Sequence, residues 1–222
     1  MTDLPWTYSP VLPVVRIEDT DHAVPVARAL VAGGISVIEI VLRTQAALAS
    51  IELIRREVPE IWVGAGTLVR PGQANEAADA GAQFLVSPGC PRDLCSAMID
   101  TGLPALPGAS TVTELMELSS RGFQYAKVFP ADAAGNTSFI RSVGSVLPGM
   151  KLCPSGGISH HAAASYLMQP NVSCVGGSWL TPNSVVKSRN WKQIATIAAQ
   201  AAALSSLKPT AATSLSSART LV

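Results

Sequence analysis

The sequence predicts an α/β fold, a parallel sheet closed into a single (β/α)8 TIM barrel, on three observations. Short runs rich in Val, Ile and Leu recur with starts about 20 to 26 residues apart, the length a strand-plus-helix unit needs. Each run is followed by a longer segment, often Ala-rich, with helical spacing. Eight such units fit in the chain, and eight parallel strands close a barrel. An open doubly wound sheet is the alternative, but eight units without a long crossover favour closure.

In order, the expected strands are VLPVVRI from Val11, VIEIVL from Val37, WVGAGTL from Trp62 and FLVSPG from Phe84. They continue with ALPGAS from Ala105, YAKVFPA from Tyr125, KLCPSGGI from Lys151 and VSCVGGSWL from Val172. Helix punctuation agrees with this division. Asp21 is placed to cap the first helix and Gly33-Gly34 to end it; Pro71 suits a first helical turn and Gly81 a stop. The barrel domain then spans residues 1–207. Its first ten residues, with Pro5, Pro10 and two aromatics, are expected against the barrel floor. Residues 208–222, mostly Ser, Ala and Thr, have little to bury and are expected to be a flexible tail.

Composition narrows the function. Net charge is +1, with no basic stripe and no acidic block, so neither nucleic acid nor a membrane surface is an expected partner. No run reaches 18 unbroken apolar residues. The four cysteines (Cys90, Cys95, Cys153, Cys174) lack zinc-site spacing and read as free thiols of a reducing compartment. MTDLPWTYSP has no secretory pattern, so a cytoplasmic location is expected.

Barrel chemistry sits at the C-terminal ends of the strands, and three strands carry unusual residues there. In VIEIVLRT, Ile38, Ile40 and Leu42 share one face and Glu39, Val41 and Arg43 the other. The apolar set should meet the helices, which turns Glu39 and Arg43 inward. A carboxylate is costly to bury unless it is paired or used. The plain alternative is a structural ion pair; the functional one is a general acid/base with a carboxylate-binding arginine above it.

In YAKVFPA, Lys127 is the one lysine of five flanked on both sides by core strand residues, and Phe129 shares its face. Desolvation disfavours an ammonium, and a neutral amine attacks carbonyls. Neutralisation by Glu39 is compatible with that role. Lys151 competes but opens its strand, at the wrong end of a barrel. Finally, PSGGIS and VGGSW end the last two strands, where barrels often bind phosphate through backbone N–H groups. Thr67 is placed to serve a substrate carboxylate beside Arg43, the plain alternative being packing within its strand. His160 and His161 read as exposed helix-entry residues. With three histidines and no inward Asp/His set, no catalytic metal site and no cofactor are expected.

The chain resembles the 2-keto-3-deoxy-6-phosphogluconate (KDPG) aldolase / 4-hydroxy-2-oxoglutarate aldolase family from about Val11 to Leu204. The motifs that carry the resemblance are AVPVARALVAGGI, VIEIVLRT, VGAGTL, SPG, PGASTVTEL, KVFPAD, CPSGGIS and VGGSWL, in order and spacing. The resemblance implies a Schiff-base lyase acting on a phosphorylated keto acid, without a metal, as a homotrimer. By position it implies Lys127 as the covalent residue and Glu39 as the acid/base, with Arg43 and Thr67 at the pyruvyl carboxylate. Pro88 and Phe129 would line the pyruvyl pocket with Ser155 near it, and Gly156, Gly157, Gly177 and Ser178 would hold the phosphate. The segment before the first strand is shorter than in many relatives. Other readings remain: the 6-phosphogalactonate aldolases, which tend to carry Asn where Arg43 stands; a metal-dependent phosphosugar epimerase; and a non-catalytic phosphosugar-binding barrel.

Overall fold

The computed structural model describes residues 4–207; the tail expected to be flexible lies outside the described residues. Strands and helices alternate as the spacing predicts. After a 3-10 turn over Pro5–Thr7 come β1 (Val11–Val15), α1 (Ala23–Ala32), β2 (Val37–Val41), α2 (Ala47–Glu57), β3 (Trp62–Gly66) and α3 (Gly72–Asp79). Next are β4 (Leu85–Val86), α4 (Arg92–Asp100), β5 (Ala105–Leu106), β6 (Gly108–Ala109), α5 (Val112–Ser120) and β7 (Tyr125–Val128). The chain continues through α6 (Asn136–Val146), β8 (Lys151–Pro154), α7 (His160–Leu167), β9 (Val175–Gly177), α8 (Asn183–Lys187) and α9 (Trp191–Ala202).

The strands pair in parallel in two curved sheets, one ordered β5-β4-β3-β2-β1-β9 and one β6-β7-β8. The expected fifth strand is divided at Pro107, which has no N–H to give a ladder. Its halves therefore belong to different sheets. Hydrogen bonds still stitch the break: Pro107 accepts from the Lys127 N–H at 2.8 Å, and the Ser87 hydroxyl accepts from the Gly108 N–H at 3.2 Å. Between β8 and β9 the ladder reduces to two parallel bridges, Leu152 with Val172 and Ser155 with Gly176. Cys153 and Pro154 lie between the bridges on one side; Ser173, Cys174 and Val175 lie between them on the other. One residue is extra, which makes a bulge at this seam.

The apolar faces behave as alternation requires. Ile38 and Ile40 are fully buried, and so are Leu30, Ile51 and Ile54 on the facing helices. Helix α1 closes tightly on α9: a methyl group at Gly33 would come within 2.6 Å of the Ala195 carbonyl. The capping expectation for Asp21 is corrected. Asp19 instead accepts from the Asp21 N–H, and α1 begins at Ala23 with no side-chain cap. Pro25, third in the helix, lacks the N–H that such a cap would bind.

The opening segment lies against the N-terminal ends of the strands. Trp6 is 1% exposed and meets Phe84 and Tyr125 edge-on, with ring centroids 5.9 and 6.0 Å away. Those two aromatics flank or open β4 and β7, so one indole plugs the interior from below.

Candidate active site

Glu39 lies at the centre of β2, opposite Val14 of β1 and Gly64 of β3, and is fully buried. Space for its carboxylate comes from Gly66, where a methyl group would collide with Glu39 Oε1 and the carboxylate carbon. Lys127, on β7 of the other sheet, is 5% exposed and crosses the interior to it: Nζ donates to Glu39 Oε1 at 3.3 Å. The second carboxylate oxygen, Oε2, is buried with no hydrogen-bond partner. Orphaned buried acceptors are rare and call for an explanation, a catalytic role among them. The Phe129 ring lies beside the amine, its centroid 5.7 Å from Nζ.

Above this pair a cleft of about 200 Å³ opens at the C-terminal ends of the strands. Arg43, Lys127, Phe129, Ser155, Gly156, Gly157 and Ser178 line it, joined by Val14, Ile158 and Gly176. Arg43 Nε donates to the Thr67 hydroxyl at 3.1 Å, which steers the guanidinium from its strand end. Thr67 holds a left-handed backbone (φ 62°), a conformation a β-branched residue rarely adopts. Gly156 and Gly157 are also left-handed (φ 92° and 73°), and a methyl group on Gly157 would collide with the Asp132 carboxylate. Glycine is therefore required at this turn. Ser159 caps α7 immediately after it, accepting from the Ala162 N–H.

Seven of the eleven expected residues line the cleft, Glu39 and Thr67 join it through Lys127 and Arg43, and two stand apart. Pro88 is not in the cleft lining; its backbone packs on Gly108 of β6, where a methyl group could not fit. Gly177 turns the other way, so that a methyl group there would meet Trp179 Nε1 at 2.8 Å and Val11 Cγ1 at 2.9 Å. Its neighbour Gly176 faces Ser155 and lines the cleft. Gly66 and Val14 were not foreseen, and Ile158 and Gly176 fall within the PSGGIS and VGGSW motifs without having been singled out. Alternation offered a signal for Gly66, a side-chain-free position two residues beyond Gly64, which pairs with the buried carboxylate. Lys151 is at the opposite end, its Nζ donating to the Pro170 carbonyl at 3.0 Å. The His160 ring packs tilted against Trp179, with centroids 4.9 Å apart, and His161 is exposed, both outside the cleft lining. Cys153 pairs in register with Lys127. A hydrogen bond with Cys174 and burial push its thiol well above the ordinary range, with Glu39 reinforcing and Lys127 opposing. Among the described residues no group of three or more His, Cys, Asp or Glu side chains is placed to hold a metal ion.

A buried amine paired with a carboxylate under an open cleft is the equipment of a carbon–carbon lyase that works through a carbonyl adduct. Comparison with known proteins gives the family. Residues 5–197 match the aldolase model described as KDPG and KHG aldolase. A 2-dehydro-3-deoxy-phosphogluconate aldolase of Pseudoalteromonas atlantica is 44% identical over 89% of this chain and 92% of its own length. The KHG/KDPG aldolase of Escherichia coli K12 is 42% identical over 88% of this chain and 92% of its own. The crystal structure of a Legionella pneumophila KDPG aldolase, with pyruvate captured as a covalent carbinolamine intermediate, superposes with a TM-score of 0.88. It is 40% identical, covering 91% of this chain and all of that one. The chain belongs to the KDPG and KHG aldolase family.

Proposed function

We propose that this chain cleaves 2-keto-3-deoxy-6-phosphogluconate to pyruvate and D-glyceraldehyde 3-phosphate through a Schiff base on Lys127. By the same steps it splits 4-hydroxy-2-oxoglutarate to pyruvate and glyoxylate. The observation that carries this reading is the Lys127–Glu39 contact of 3.3 Å beneath a cleft that also holds Arg43 and a glycine turn. The carbinolamine trapped in the Legionella neighbour supports the same chemistry here.

Glu39 takes a proton from Lys127, and the neutral amine adds to the C2 ketone. Glu39 returns that proton to the carbinolamine hydroxyl, which leaves as water, and an iminium remains. Glu39, directly or through a water, removes the C4 hydroxyl proton; the C3–C4 bond breaks and its electrons enter the iminium. The aldehyde leaves, the resulting enamine is protonated at C3, and hydrolysis releases pyruvate. The iminium is the electron sink, so no step calls for a metal. Arg43, steered by Thr67, would meet the keto-acid carboxylate with two parallel hydrogen bonds. Phe129 and Ser155 would flank the pyruvyl group, and Gly156, Gly157 and Ser178 would receive the phosphate at the start of α7. Pro88 and Gly177 would act through packing.

The reading takes the two sheets as arcs of one closed eight-stranded barrel. The Lys127–Glu39 contact between sheets, the stitched break at Pro107 and the bridges between β8 and β9 support this. It includes a cytoplasmic setting, which four cysteines outside any disulfide favour, and assembly as a homotrimer, which sedimentation tests. The decisive experiment is borohydride reduction in the presence of pyruvate. One reduced pyruvyl group should map to the peptide containing Lys127, with loss of activity. A label on Lys151, or none, would sink the Schiff-base assignment.

A further inference from the structure

One of two touching buried thiols, Cys153, stands beside Lys127, and no step above uses either. Cys153 and Cys174 are 1% and 0% exposed, with their Sγ atoms 3.4 Å apart. Their meeting is a product of the bulge between β8 and β9. Continued regularly from the Leu152–Val172 bridge, Cys174 would oppose Pro154 and point to the other face from Cys153. The extra residue turns it back, so that both thiols share the interior. Cys153 is also one strand away from Lys127 and directly opposite it in register.

We propose that Cys153 and Cys174 form an oxidation site, in which a peroxide entering through the substrate cleft converts the pair to a disulfide and reversibly disables Lys127. Cys174 and burial hold the Cys153 thiol protonated, so the step is slow and runs through its minor thiolate fraction: the thiolate attacks hydrogen peroxide, the O–O bond breaks, and a sulfenic acid and one water form. Cys174 then displaces the hydroxyl from that sulfenic sulfur, closing the S–S bond and releasing a second water. Both oxygens of the peroxide leave as water, and the two thiols supply the two electrons.

Bonding shortens the sulfur separation from 3.4 Å to roughly 2.05 Å, which draws Cys153 and its strand toward the seam. Strand β8 carries the register partner of Lys127 and runs straight into Ser155, Gly156 and Gly157 of the cleft. A displacement of about 1 Å among reacting groups can cost about 10²-fold in rate. Access follows from the same map. Lys127, Ser155 and Gly176, the register partner or near chain neighbours of the two thiols, line the cleft, so a cleft occupied by pyruvate shields them.

The test treats the folded full-length chain with hydrogen peroxide, then combines peptide mapping without reductant and the aldol cleavage assay. Expected are a linked pair of peptides carrying Cys153 and Cys174, two hydrogens lighter than the free thiols, and an activity loss of about ten-fold or more. Dithiothreitol should reverse both, and pyruvate should slow both. Cys174→Ser should form no bridge and escape the reversible loss, whereas Cys90→Ser/Cys95→Ser should behave like the parent. Absence of the linked peptides in the parent overturns the proposal, whatever the variants do. So does a bridge that leaves activity unchanged, or a Cys174→Ser chain that loses and regains activity as the parent does.

Discussion

A carboxylate and an ammonium held 3.3 Å apart, both shielded from water, are costly to separate. Removing the Glu39 carboxylate with Ala would strand the lysine's charge and should destabilise the fold by about 3–5 kcal/mol. Glu39→Gln keeps an acceptor for Lys127 and should fold, while proton transfer falls on the order of 10²–10⁴-fold. Exchange of pyruvate methyl protons with solvent should slow in parallel. Exchange at the parental rate in Glu39→Gln would make the carboxylate structural. The inward placement of Glu39 and Lys127 was legible from strand alternation, because apolar neighbours leave the charged residue one face to occupy. Their direct contact was not: it joins residues 88 apart in sequence, and alternation carries no information across that distance. Gly177 shows the reverse case. A Gly-Gly pair marks a close approach, but the pair itself does not say which glycine faces the cleft.

At the scale of elements, all eight expected strand segments are present, and the departures have local chemical causes. Pro107 divides one strand because it lacks an N–H, and Pro25 explains a helix start without a cap. Helix α5 has the opposite arrangement. Thr111 accepts from the Glu114 N–H, and the Glu114 carboxylate accepts from the Ser110 and Thr111 N–H groups. The Ser110 backbone hydrogen bond leads in holding the Glu114 carboxyl below its ordinary value, with help from Thr111. A group lowered in the folded state stabilises above its unfolded value, and that contribution is lost as pH falls through the lowered native one. Urea midpoints measured downward from neutral pH should therefore fall less steeply for Glu114→Gln than for the parent below about pH 4.5. Parallel curves would show that the cap adds nothing to global stability.

For the molecule as a whole, closure from below depends on a residue outside the repeating units. Trp6 precedes the first strand, and its burial against Phe84 and Tyr125 fills the space that opposing strands leave between them. Trp6→Ala should lower stability by about 3–5 kcal/mol, read as an earlier urea midpoint. A midpoint within error of the parent would show that the opening segment merely rests on the fold. The proline-rich start signalled a segment off the repeat. Which of its aromatics goes inside was not legible, since Trp6 and Tyr8 lie two residues apart and only the first is buried, Tyr8 being 50% exposed.

The left-handed turn at Thr67 also bears on any effort to make this protein withstand heat. Such a conformation costs on the order of 1–3 kcal/mol for an ordinary residue, and Asn adopts it more readily than a β-branched one. Thr67→Asn should therefore raise the melting temperature by about 2–4 °C for each kcal/mol recovered. The same change removes the hydroxyl that steers Arg43, so KM for pyruvate should rise in the hardier variant. A screen that selects for heat resistance alone would then favour this substitution while degrading the catalyst. A Thr67→Asn chain that melts later and keeps its KM would remove the conflict.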